Sequence, residues 1–142
     1  MWRELILELA PDAVLGAPAD EVVLVATEQP LGQRLPAELV ALLRECNGVT
    51  HDGVDVIWSA GQVARDNAAF RSAPDFADLY MPVEPLMFFG DDAGGDQFCF
   101  VRTPERGEVF VWDHETDSRF MVAGGLRQYL ERALRDSGDW YR

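Results

Sequence analysis

Three stretches of this 142-residue chain hold the residue types that acid–base or metal chemistry requires. In the first, Asp91, Asp92 and Asp96 lie among Gly90, Gly94 and Gly95. Clustered hard oxygens suit calcium or magnesium. The spacing departs from the D-x-[DN]-x-[DN]-G calcium loop, and the twelfth position counted from Asp91 is Arg102, not an acid. A strand-to-strand turn accounts for the same residues, with glycine supplying positive φ and aspartate bonding nearby N–H groups. A loop that touches a partner is the second reading.

The other two stretches hold the only histidines. His51 stands beside Asp52 and near Asp55, and His114 stands between Asp113 and Glu115. Such groups can ligate zinc or act as general bases. No close His-x(3–5)-His or Cys-x-x-Cys spacing supports either role, so both histidines read as exposed polar residues at loop or strand ends. A Cys–His nucleophilic pair needs a setting that stabilises the thiolate. Cys46 and Cys99 fall on expected core faces, where burial has the opposite effect. No phosphate loop, dinucleotide fingerprint or G-x-S-x-G elbow occurs. The expectation is a chain with no catalytic residue, no metal and no cofactor. A hydrolase built from carboxylates and histidine is the outlying alternative, which stoichiometric zinc or manganese in the purified protein would revive.

Charge narrows the partners. Twenty-five acidic residues face twelve basic ones, every one an arginine, for a formal charge of −13. That field repels nucleic acid and anionic membrane and attracts basic proteins. Between Arg71 and Arg102 no basic residue occurs, while Asp75, Asp78, Glu84, Asp91, Asp92 and Asp96 all do. These acids form either a solvated face or an electrostatic docking surface.

Length and composition fit a single globular domain over residues 1–142, with 48% apolar residues and 11% aromatic. No apolar run approaches the roughly 20 residues of a membrane-spanning helix. Glu4 and Glu8 interrupt the first apolar stretch, so no signal peptide is expected. The two separated cysteines suggest a reducing compartment, with one disulfide left open. Cytoplasm is the expected location.

The elements that position these residues follow from periodicity. Pro11, Gly16, Pro18, Pro30 and Gly32 break the first 34 residues into short pieces. Residues 21–27 read locally as a strand because of their valines. Leu35, Leu39, Leu42, Leu43 and Cys46 mark the buried face of a helix over 36–46, with Pro36 in its first turn and Asn47-Gly48 closing it. Residues 54–58 form a short strand, and Ser59 to Gln62 is a capping-box pattern opening a helix with Val63, Asn67 and Phe70 on one side. Residues 75–85 read as loop with one helical turn. A meander follows, with strands at 86–89, 97–102, 108–113 and 119–122 and turns at 90–96 and 103–107. Apolar residues on both faces imply a sheet covered on both sides. Leu126, Tyr129, Leu130, Ala133 and Leu134 stripe a closing helix. The class is α+β, a mainly antiparallel central sheet with helices before and after it. Beyond Gly138, Trp140 and Tyr141 are either a frayed tail or an anchor for a second subunit or partner.

Taken in order, these residues resemble the SMI1/KNR4 (SUKH) superfamily. Leu31-Gly32 with Leu35-Pro36 and the helix ending at Asn47-Gly48 is similar to its opening signature. Val56-Ile57-Trp58-Ser59, then Phe89-Gly90-Asp91 through Gly94-Gly95-Asp96, then Val109 to Glu115 and the closing helix, resemble the later blocks. The likeness covers about residues 19–135. It implies a compact α+β fold that binds proteins, often as a bacterial immunity protein neutralising a secreted polymorphic toxin. Eukaryotic relatives imply the alternative, a regulator or scaffold in cell-wall synthesis or signalling. It also implies a helix over 19–29, against the local strand reading. The expected partner is a basic toxin domain, contacted through Asp91, Asp92, Asp96, Asp113, Glu115 and Asp117. Oligomeric state is left open.

Overall fold

The computed structural model describes residues 1–72, 86–102, 105–116, 118–135 and 140–141. The expectations for residues 75–85, Asp117 and Gly138 fall outside these described residues.

Asp20 decides the first conflict between local and family readings. Its carboxylate accepts from Val23 N at 2.9 Å, an N-cap that starts helix α2 (Glu21–Leu31). Gly32 ends it in the left-handed conformation at φ 62°. Leu24, Thr27 and Leu31 are buried at helical spacing, so packing overrides the β propensity of the valines. The strand expected at 21–27 is therefore a helix, as the family resemblance implied.

Ahead of it lie helix α1 (Trp2–Leu9) and the two-residue strand β1 (Val14–Leu15). Glu45, at the end of helix α3 (Ala37–Glu45), caps α1 from outside. Its carboxylate accepts from the Met1 ammonium at 2.8 Å, Trp2 N at 3.1 Å and Arg3 N at 3.0 Å. Pro36 sits at the N-cap of α3, one residue before the first turn that the sequence suggested. The stripe Leu35, Leu39, Leu42, Leu43 and Cys46 is buried as expected.

Strands β2 (Val49–His51) and β3 (Val54–Ile57) form a hairpin across Asp52-Gly53, both at positive φ (52° and 78°). Asp-Gly suits that turn. With β1 they make a three-stranded antiparallel sheet. Ser59 Oγ then accepts from Gln62 N at 3.2 Å and opens helix α4 (Ala60–Ser72). The Gln62 side chain donates to Asp66 at 3.2 Å, leaving the reciprocal half of the capping box unmade.

A second antiparallel sheet runs in the order β4 (Leu86–Asp91), β5 (Gln97–Arg102), β6 (Glu105–Asp113), β7 (Ser118–Ala123). The one central sheet of the sequence reading is thus two, joined where Trp58 N donates to Phe89 O at 2.7 Å. Gly90 permits that approach. A Cβ there would stand 2.2 Å from Val56 O and 2.9 Å from the Tyr129 hydroxyl. β6 starts at Glu105, so residues 105–107 of the expected turn are strand, and residues 103–104 lie outside the described residues.

Both faces of the second sheet are covered. Helix α5 (Leu126–Arg135) sets Tyr129 against Phe89 and Phe98, with ring centroids 5.0 and 5.1 Å apart. On the other face, Phe70 of α4 meets Phe88 edge-on at 5.1 Å, and Phe88 lies 6.0 Å from Trp112. The class is α+β, as the patterning implied. Among the described residues, no helix is long and apolar enough to cross a membrane.

Candidate functional site at the acidic end of the sheets

Strand register brings three chain reversals to one end of the molecule. His51 pairs with Val54, Asp91 with Gln97, and Asp113 with Ser118, so the intervening turns share that end. The acids expected at a partner surface are sorted there by their surroundings.

Asp91 is half-buried. Its carboxylate accepts from Trp58 Nε1 and from Ala93 N, each at 2.8 Å. Burial outweighs these bonds and lifts its pKa above the ordinary value. Asp92 holds the turn. Its Oδ1 accepts from Gly94 N at 2.8 Å and Asp96 N at 3.1 Å, and its Oδ2 accepts from Tyr141 at 2.5 Å. Aspartate bonding local N–H groups is what the turn reading predicted. Ala93 takes φ 67°, a conformation more usual for glycine.

Asp96 departs from the surface role assigned to it. It is fully buried, so its carboxylate faces inward. Oδ1 accepts from His114 N at 3.2 Å and lies 2.6 Å from His114 Nδ1, while Oδ2 accepts from the Tyr141 hydroxyl at 2.8 Å. The reason is a partner supplied from the far end of the chain. Asp113 and Glu115 flank His114 on the outside, and Glu115 N donates to Asp113 Oδ1 at 3.0 Å. The bond to Asp96 raises the His114 pKa, and the charges of Asp96, Glu115 and Asp113 act in the same direction. Gly95 leaves room for the imidazole, because a Cβ there would come within 2.7 Å of the ring.

Trp140 and Tyr141 are neither frayed nor projecting. Trp140 stacks on Phe98 with centroids 5.3 Å apart and planes inclined by 20°, and Tyr141 meets Phe98 edge-on at 5.3 Å.

Beside this network a cleft of about 370 Å³ opens between the β2–β3 hairpin, the Asp91–Asp92 corner and the end of α5. Val56, Phe98 and Tyr129 give it apolar walls, and Asp52, Asp91, Asp92 and His51 lie around it. His51 ends β2, a strand end as expected, but it is less exposed than expected: its side chain is only 16% exposed, and Nε2 lies 3.1 Å from Asp12 Oδ1. Asp12, His51 and Asp52 bring possible ligand atoms within 4.8 Å of one another, as do Asp96, Asp113 and His114. In the second group, Asp96 already serves His114 and Tyr141. No serine, threonine or cysteine is among the described residues lining the cleft. Both thiols are buried elsewhere, and burial pushes Cys46 up to about 11 and Cys99 up to about 12, leaving them protonated and inert.

Residues 18–132 match the SMI1 / KNR4 family (SUKH-1). The chain belongs to this family. A search of curated proteins returned no match. The SUKH family is generally non-catalytic and is associated with protein–protein binding. The SUKH match includes the Asp91–Asp96 turn and the Asp113–Glu115 corner and ends before Trp140 and Tyr141. The sequence reading names Asp52, His51 and Tyr141 but assigns none of them to this end of the fold. Asp52 carried a signal in Asp52-Gly53, a hairpin dipeptide. His51 and Tyr141 carried none, since their roles depend on Asp12 and on Asp92 with Asp96.

Proposed function

We propose that this SUKH chain is a non-catalytic protein-binding module of the cytoplasm, a single domain over residues 1–142. On this reading it is an immunity protein that neutralises a cognate secreted toxin, a basic domain, by masking its active surface. The observation that carries the proposal is the convergence of acidic turns at one end of a family fold associated with protein binding. Asp92, Asp113 and Glu115 form the proposed contact edge, with Asp91 set back beside them. Asp117 belongs to the same proposed edge by its place in the sequence. Asp96 acts from beneath, holding the turn in shape. Such an edge raises association rates by steering, up to about 10⁸–10⁹ M⁻¹s⁻¹ at low salt.

Affinity purification from the native host, with the co-eluting protein identified, tests this directly. The expected partner is a basic toxin domain encoded beside this chain, whose toxicity co-expression suppresses. Association should slow at least tenfold between low and high salt. A salt-independent on-rate removes the electrostatic part. Recovery of a host enzyme of cell-wall synthesis or a signalling protein, with no toxin gene adjacent, replaces the immunity role with a regulatory one.

A further inference from the structure

The cleft beside Asp91 has a form that a flat acidic edge does not need. It is about 370 Å³, near the small end of the ~300–1,000 Å³ typical of ligand pockets. Apolar side chains back it, with Phe98 and Tyr129 buried behind Trp140, the aromatic ring of the lining that is partly exposed. Among the described lining residues, three carboxylates, Asp52, Asp91 and Asp92, face one arginine, Arg135. An anionic or purely apolar occupant would leave those carboxylates uncompensated.

We infer that the cleft receives one arginine side chain projecting from the bound protein. The inference rests on the binding-module reading above and names the group recognised. The methylene stem of arginine suits the apolar lining, and its planar guanidinium can stack on the exposed part of Trp140 while donating in a fork to carboxylate oxygens. Asp91 has the capacity. Each of its oxygens accepts one bond inside the protein, Oδ2 from Trp58 and Oδ1 from Ala93, and each retains a second lone pair. Half-burial also leaves its charge short of compensation, which the raised pKa records. Asp52 is exposed, and its nearest cationic partner among the described residues is His51 Nδ1 at 3.8 Å, so its carboxylate can turn toward a cation.

N-acetyl-arginine amide, titrated into the full-length protein and followed by amide and indole NMR shifts, tests this without any toxin. Its neutral isostere N-acetyl-citrulline amide is the control. Arginine should shift Val54, Asp91 and the Trp140 indole, citrulline should not, and D52N and D91N should each weaken arginine binding about two- to fivefold. Asn suits the positive φ at position 52, so D52N keeps the hairpin. Equal shifts with citrulline, no shift in the cleft, or unchanged binding by both variants overturns the inference. Tighter binding of N-acetyl-lysine amide overturns the choice of guanidinium. The two proposals fail separately. A toxin captured equally well by D52N and D91N sinks the cleft alone, while arginine binding without any protein partner sinks the module reading alone.

Discussion

The side-chain amide of Asn67 pairs with the backbone of Phe88 as a neighbouring strand would. Its Oδ1 accepts from Phe88 N and its Nδ2 donates to Phe88 O, both at 2.8 Å, and the side chain is 1% exposed. Helix α4 is thereby bonded to strand β4 as well as packed on it. N67A leaves a buried donor and acceptor of Phe88 without partners and should cost about 2–4 kcal/mol in urea denaturation. Hydrogen exchange at the Phe88 amide should accelerate far more than at Cys99. Equal acceleration at both would mean that the loss is global and that the pairing is unimportant.

Gly90 and Gly61 make a contrasting pair. A Cβ at Gly90 meets the Val56 carbonyl at 2.2 Å, whereas one at Gly61, in the first turn of α4, has open space around it. G90A should destabilise by about 3 kcal/mol or more, because backbone on both sides must move. G61A should be neutral or stabilise by up to about 1 kcal/mol through helix propensity. Thermal melts of both variants check the prediction.

His114 ties stability to pH. Its pKa is raised in the folded protein, first by the bond to Asp96 and then by the charges of Asp96, Glu115 and Asp113. A raised pKa means that the folded state holds the proton more tightly. The contribution is complete below the unfolded value of about 6.5 and is lost as pH rises through the folded value. The melting temperature should therefore fall on this account as pH rises past about 6.5, and H114Q should flatten that part of the profile. Y141F, which removes the hydroxyl shared by Asp92 and Asp96, should cost about 1–3 kcal/mol and leave the slope in place.

At the acid end, Glu45 acts in the opposite sense. The Met1 ammonium chiefly, with the amides of Arg3 and Trp2, lowers its pKa to about 2. Its contribution is present above about pH 4.5 and is lost as pH falls toward 2. E45Q should lose that acid limb and weaken α1 by about 0.5–1 kcal/mol at neutral pH, a helix-terminus effect reduced by exposure. Circular dichroism during acid titration of both proteins measures it.

Periodic elements were readable from local pattern. The stripe Leu35 to Cys46, the alternation of Phe98 with Cys99 and the stripe Leu126 to Leu134 each encode their own burial. Helix α1 had the same kind of signal in Trp2, Leu5, Ile6 and Leu9, obscured by the breakers that follow. Residues 21–27 misled because valine favours strands, while the deciding facts, Asp20 as cap and Leu24, Thr27 and Leu31 facing the core, lie in tertiary packing. The acids of the candidate site were visible as a cluster. Their sorting was not, because Asp96 and Tyr141 are separated by 45 residues and no local pattern encodes such a pairing.

That separation makes the acidic corner a long-range closure. The turn bends on local bonds, since Gly94 N and Asp96 N already donate to Asp92. The phenol arrives from 45 residues further along the chain than Asp96, and a contact of such span carries the larger loop-closure cost. Local opening should therefore release the grip of Tyr141 before the turn itself comes apart.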